Sequence, residues 1–462
     1  MKTIKRRSSR NFTNHLRGTQ KKGKGNGTRY KGGSAIAAGS YGCVFRPSLR
    51  CNHEDNKTTS SSDHYVSKLG KKSVIETEYV MMTKLKNILD SIPNYDKYFG
   101  LDVSKPCQPK PLSHEDLDQF DKKCNFNDIG EKTVNNKEML SSLSFVNLPY
   151  GGISLLDWIY DGNIRKSNDY LDFLRKSSSL IRHGIVPMNA KGVLHNDIHA
   201  RNILAKLHDN SNRLSHLSLI DWGLAVTNTG RTMRKITVQR DYPITRIFFV
   251  VKIKQPFSSY VQSTLNRNLI TEYSFSNSSP NKKSDVYNLL LKMSLEFIFL
   301  SKKNEKGNVV HSCRHCDDIF KNVLKRNELY KNTYLPFLEK HIANNEDNLT
   351  NPASILYDIG ITFTTFINTM YLTSVMHRYI EMKNSTLFIN FRKYFTEIYR
   401  FNADVYAMCN CILSGVSKVY NQNDTVGEGK YDLLAELLLN EVFLKSTELI
   451  DYKKVCDSLD SM

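Results

Sequence analysis

The stretch HNDIHARNIL, residues 195–204, puts His195, Asp197 and Asn202 into one short polar loop between apolar runs. An Asp can orient an attacking hydroxyl and accept its proton, and an Asn five residues further on can reach back to a metal ion. The stretch LIDWG adds Asp221 at the end of a second apolar run, where a carboxylate can chelate Mg2+ between phosphates. Upstream, AAGSYGCVF contains Gly39 and Gly42 two residues before Val44, with Ser40 and Tyr41 between the glycines and Ala37 where a further glycine could stand. Glycines in such a loop let the backbone turn tightly and bring its N–H groups to phosphate oxygens. The run YVSKL then supplies Lys68, alternating with Val66 as strand residues do. The next helical stripe carries two acids that could hold Lys68 toward phosphates. Glu78 is preferred over Glu76, which is rotated well away from the Met82/Leu85 face.

Each of these features is ordinary alone. Two glycines fit any hairpin, a lone Lys is usually a surface residue, and an Asp most often caps a helix. The ordered set Gly39/Gly42, Lys68, Glu78, Asp197, Asn202 and Asp221 is far more specific, and phosphoryl transfer is the chemistry it fits. That reaction needs in-line positioning, Mg2+ across the phosphates and an Asp for the hydroxyl proton, and little covalent work from the protein.

The elements that must position these residues follow from the hydrophobic pattern. Residues 34–70 are strand-like, broken by a polar Ser/Asp/Asn-rich gap at 52–63. Residues 72–89 repeat apolar side chains at helical spacing. The polar segment 101–137, with prolines at 106, 109 and 111, has the texture of a loop insertion. LSFVNLPYGGISLLDWIY at 143–160 predicts a strand, a Gly-Gly turn and a helix start, and 169–186 a helix. Two short apolar runs bracket the Asp197 and Asp221 loops, with KLHDNSNRL as the hairpin between them. Beyond 243 the texture is mostly helical. The order, strands and one helix followed by a helical bulk, predicts an α+β fold in two lobes.

The 462 residues predict more than one packed unit, and 40% hydrophobic with 24% charged residues is globular composition. The net charge of +19 is concentrated at the start: residues 1–33 hold eleven Lys or Arg and no Asp or Glu. This segment is predicted to be a disordered basic arm, either a solvated tail or a contact for nucleic acid or an acidic partner. The N-terminus lacks the apolar region of a signal peptide. The run 359–376 is rich in Thr and Asn and predicts a buried helix rather than a membrane span. Nine scattered Cys suit a reducing, intracellular compartment better than a disulfide framework. HSCRHC at 311–316 holds a CxxC, Cys313 and Cys316, but no second CxxC follows, so free thiols are preferred over zinc.

The ordered set resembles the eukaryotic-type protein kinase superfamily, over 34–265 and more loosely beyond. With HNDIH, DWG, QPFSSYV (255–261) and NADVYAM (402–408), it is similar to serine/threonine kinases of nucleocytoplasmic large DNA viruses. The resemblance implies a small β-rich N-lobe and hinge at 34–152, and a helical C-lobe at 153–462 with an insertion at about 270–395. It implies ATP and Mg2+ as cofactors, protein substrates, and a location in the host cytoplasm or virion. VNLPYGG (146–152) becomes the hinge, with Val146 and Leu148 beside the adenine; Asp197 is the catalytic base, Lys68 and Glu78 its partners across the cleft, and Asn202 and Asp221 hold metal. Departures are equally specific. The Arg expected before Asp197 is Asn196, so switching by an activation-loop phosphate is not expected. The Lys expected two residues after Asp197 is His199, a feature also seen in small-molecule kinases of the aminoglycoside or choline type. Arg201 before Asn202 is similar to tyrosine kinases, and no Ala-Pro-Glu follows. Either Asp285 or Asp404 could anchor the catalytic loop, with Asp404 preferred. A small-molecule kinase and a pseudokinase scaffold that binds polyanions are the competing classes.

Overall fold

The computed structural model describes residues 33–39, 42–52, 64–124, 129–160, 167–208, 213–227, 316–343, 360–383, 386–420 and 428–462, together with 287–288, 290–292, 294–295 and 358. The basic arm through residue 32, Ser40 and Tyr41, Asp285 and the run 255–261 lie outside these residues.

A four-stranded antiparallel sheet opens the fold, in the order β1 (Ser34–Gly39), β2 (Gly42–Arg46), β3 (Tyr65–Lys71), β4 (Leu143–Pro149). Alternation along the strands gives this sheet two different faces. Cys43, Phe45, Leu69 and Phe145 point to a closed side, where they are fully buried against Leu112, Phe120, Ile129 and Val134. The cover therefore comes from the segment expected to be a loop insertion. Within it the short helical turns His114–Leu117, Phe120–Lys123 and Glu131–Val134 instead pack the back of the sheet. The expectation failed because the anchoring apolar residues are single and widely spaced in a polar background, which leaves no period to read. Backbone bonds extend the sheet into this cover: Cys107 N–H donates to the Phe145 carbonyl at 2.9 Å, and Asn52 N–H to that of Gln108 at 2.9 Å.

The same packing corrects the expectation that the scattered cysteines build no disulfide framework. Cys43–Cys124 and Cys51–Cys107 are disulfides, bridging 81 and 56 residues of chain with Cα atoms 5.3 and 5.6 Å apart. Cys316 is also disulfide-bonded. Sequence spacing hid the pairs because only the fold of the cover onto the sheet brings them together. Cys409, Cys411 and Cys456 are free and buried.

Helix α1 (Lys72–Leu89) follows β3 without a break and buries Ile75, Met82, Leu85 and Leu89. After β4 the chain passes into the helical remainder. A three-stranded sheet is ordered β5 (Ile153–Ser154), β7 (Ile203–Leu207), β8 (Leu214–Leu219), and β6 (Val193–Leu194) pairs with β9 (Val226–Thr227). The helices α2 (Ser167–Leu180), α3 (Phe363–Arg378), α4 (Arg400–Tyr420) and α5 (Tyr452–Ser461) share one core with these strands. Helix α3, drawn from the Thr-rich run, is buried on nearly every side, and no helix among the described residues is long and apolar enough to cross a membrane. The whole is a mixed fold: a small antiparallel sheet region followed by a helical remainder.

Closing loops of this length should stabilise the folded chain by about 4 kcal/mol for each disulfide in the chain-entropy description. Reduction with a thiol, or Cys51→Ser with Cys107→Ser, is therefore expected to lower the melting temperature by several degrees in a thermal-shift assay; an unchanged melting point would contradict the crosslinks.

Candidate active site

The β-sheet register lines up most of the residues singled out in the N-terminal sheet region. Val44 pairs with Lys68, Lys68 with Val146, and Ala37 with Val44. Directly opposed residues of an antiparallel sheet project from the same face. Ala37, Val44, Lys68 and Val146 thus form one row on the face opposite Phe45 and Phe145. Leu148, opposite Val66, lies two residues along β4 on that same face. Gly39 pairs with Gly42 at the end of the hairpin. A Cβ at Gly42 would stand 2.6 Å from the Leu69 carbonyl oxygen, so close strand approach alone demands glycine there. In the hinge stretch, Gly152 has φ 109°, and a Cβ would meet the Ala205 carbonyl oxygen at 2.2 Å. That glycine lets the chain leaving β4 lie directly on β7.

Lys68 Nζ is 2.6 Å from Glu78 Oε1 and 3.6 Å from Asp221 Oδ1. Glu78 is half-buried on the flank of α1 that carries Met82, while Glu76 is exposed. Burial works to lower the Lys68 pKa, but Glu78 and then Asp221 outweigh it, and the ammonium is held above its ordinary value. Lys68 is therefore a positive charge held between Glu78 and Asp221.

Asp221 has φ 63° and ψ 73°, a left-handed backbone uncommon for a non-glycine residue. Its neighbour Trp222 is fully buried, edge-on to Phe99 at 5.9 Å and 4.7 Å from the His195 ring. Seating the indole inward while the carboxylate faces Lys68 requires the reversal at this residue.

The Asp197 loop is held from three sides. His195 Nε2 donates to the Ile220 carbonyl at 3.0 Å, and its Nδ1 accepts from the Asp197 N–H at 3.3 Å. Asn202 Nδ2 donates to the Asp197 carbonyl and to Oδ2, both at 3.0 Å. Asp404, fully buried in α4, accepts the His195 N–H at 2.9 Å, the Asn196 N–H at 3.1 Å and the Asn189 side-chain amide at 2.9 Å. Asp404 is thus the loop anchor, in the body of a helix rather than at its cap. Asn196, with φ 59°, is fully buried and accepts the Tyr399 hydroxyl at 3.2 Å. No sequence signal pointed to Tyr399, a core aromatic 203 residues away.

Asn202 turns its N–H groups to Asp197, which leaves Oδ1 as its acceptor, and the Asp221 side chain is 42% exposed. An amide oxygen and a carboxylate are hard donors that suit Mg2+, which takes one or two protein ligands with phosphate oxygens and water. No group of three or more His, Cys, Asp or Glu suited to a metal occurs among the described residues. Cys313 lies outside them.

No family model and no curated protein matches the chain. Among solved structures it is similar to the granulovirus kinase PK-1 of Cydia pomonella, with 16% identity, a TM-score of 0.24, and coverage of 42% of this chain. The match spans 55% of that kinase's own chain, little more than half its length.

Two outcomes follow from this geometry. Asp404→Ala strands three buried donors and should cost about 3–5 kcal/mol of unfolding free energy in denaturant titrations; a loss under about 1 kcal/mol would refute the anchor. Burial holds the His195 imidazole below its ordinary value of 6.5, and burial with the nearby Lys97, Lys206 and Lys176 pushes His216 down to about 4. Both fold as neutral rings, so the unfolded chain binds more protons as the pH drops. Stability is present above about pH 6.5 and is lost on acidification toward 4; His195→Gln with His216→Gln should flatten that decline in melting temperature, and an equally steep profile would contradict it.

Proposed function

We propose that this chain is an ATP-dependent protein kinase that transfers the γ-phosphate to Ser or Thr hydroxyls. The observation that carries the reading is the Lys68 ammonium set between Glu78 and Asp221, whose neighbour Ile220 donates its N–H to the carbonyl of Asn202 in the Asp197–Asn202 pair. In this reading the row Ala37, Val44, Val146 and Leu148 receives the adenine. Lys68, fixed by Glu78, binds the α- and β-phosphates. Asp221 and Asn202 hold Mg2+, which neutralises charge on the phosphates. Asp197, oriented by Asn202, positions the acceptor hydroxyl and takes its proton as the phosphoryl group moves in line.

Removing the acceptor for that proton while leaving the nucleotide site intact separates the two roles. Asp197→Ala is expected to keep the upward shift in melting temperature given by Mg·ATP and to lose transfer to protein substrates by on the order of 10²–10⁴-fold. Undiminished transfer by the variant would refute the role of Asp197. No stabilisation of the wild type by Mg·ATP would favour a scaffold instead. His199 keeps a small-molecule kinase as the second reading, which transfer to aminoglycoside- or choline-like alcohols, and none to protein, would favour.

A further inference from the structure

His199 sits in the loop between Asp197 and Asn202 and makes one contact that a lysine could not. Its Nδ1 accepts the backbone N–H of Arg201 at 3.2 Å. Its own carbonyl accepts the Asn202 N–H at 2.8 Å. A backbone N–H can only donate, so Nδ1 must present a lone pair and, in the neutral ring, the proton sits on Nε2. That Nε2 lies 3.7 Å from Asp197 Oδ2, the oxygen that also accepts from Asn202. The imidazole is 22% exposed, so most of it is packed into the loop rather than waving in solvent.

We infer that His199 is a positioning residue that closes the turn through Nδ1 and directs an Nε2–H at the Asp197 carboxylate, which it aligns for the acceptor hydroxyl. This deepens the phosphotransferase reading and rests on it for the catalytic consequence, but the tautomer is a property of the fold alone. The 3.7 Å separation is beyond a direct hydrogen bond, and such contacts often tighten only once substrate is bound. The ring does not relay the proton taken by Asp197. Nε2 already carries one, and Nδ1 is occupied by Arg201, so the proton stays on Asp197 until solvent or product removes it. The role is one of shape and hydrogen bonding, and a positive charge at this position does not replace it. An ammonium has donors and no acceptor, so it leaves the Arg201 N–H unpaired.

The test has two arms on the full-length chain. In the first, the protein is labelled with ¹⁵N-histidine and two-bond ¹⁵N–¹H spectra are recorded at neutral pH, with His199→Gln used to assign the resonance among the 13 histidines. For the neutral ring the expected result is a proton on Nε2 and a bare Nδ1; a proton on Nδ1 would overturn the assignment. In the second, kcat and the KM for ATP are measured separately. His199→Ala should lower kcat on the order of 10- to 100-fold with little change in the KM for ATP. His199→Asn, whose Oδ1 can take the place of Nδ1, should recover more of kcat than His199→Lys. Full activity in His199→Lys would mean that charge is what matters, and unchanged kcat in His199→Ala would mean that the ring positions nothing; either result overturns the role. If the wild type transfers phosphate to no acceptor, the functional reading fails while the spectra still decide the geometry.

Discussion

One buried carboxylate holds the site together. Asp404 takes two consecutive backbone N–H groups of the Asp197 loop and the amide of Asn189, and it does so from the interior of a helix where it has no access to water. A charge in that position is tolerable only with its hydrogen bonds made, and the loop is tolerable only with its donors met. The two requirements satisfy each other. His195 then carries the constraint onward, one ring nitrogen to Asp197 and the other to the chain leading to Asp221. The positions of both acids are thereby set by a residue far along the chain, 207 positions from Asp197 and 183 from Asp221.

The smaller lobe solves a different problem. A sheet with one open face and one closed face can present a row of side chains only if the closed face is well packed. Phe45, Leu69 and Phe145 are buried beneath the 101–137 cover, and two disulfides fasten that cover to β2 and the chain that follows it. On the open face stand Val44, Lys68 and Val146 in register. Lys68 is drawn to Glu78 and to Asp221, so one ammonium ties together the sheet, α1 and the Trp222 turn.

The local chemistry was legible in the sequence because its signals are local. Lys68 alternates with Val66 on a strand, Glu78 lies on the helix flank of Met82, and Asp197 and Asn202 share one turn. The alternatives that stood open, Glu76 beside Glu78 and the place of Asp404, needed three-dimensional contacts to resolve. What was illegible depends on distance along the chain. The cover at 101–137 binds through isolated residues such as Phe120 and Val134, so no period announced it. The disulfides join β2 and the chain that follows it to that same cover, and their spacing carried no signal until the cover was placed. Tyr399 reads as one more core aromatic, and its hydroxyl bond to Asn196 exists only because both are buried together. His199 was legible as a departure from a lysine, but its bond to Arg201 N–H was not.

On the proposed reading, Asp221 and Asn202 form a metal site only together with a nucleotide. Mn2+ titrated into the protein with a non-hydrolysable ATP analogue, and followed by electron paramagnetic resonance, reads that site directly. The account predicts tight Mn2+ binding that requires the analogue and is lost in Asp221→Asn. Binding of equal strength in that variant, or none that depends on the nucleotide in the wild type, would contradict it.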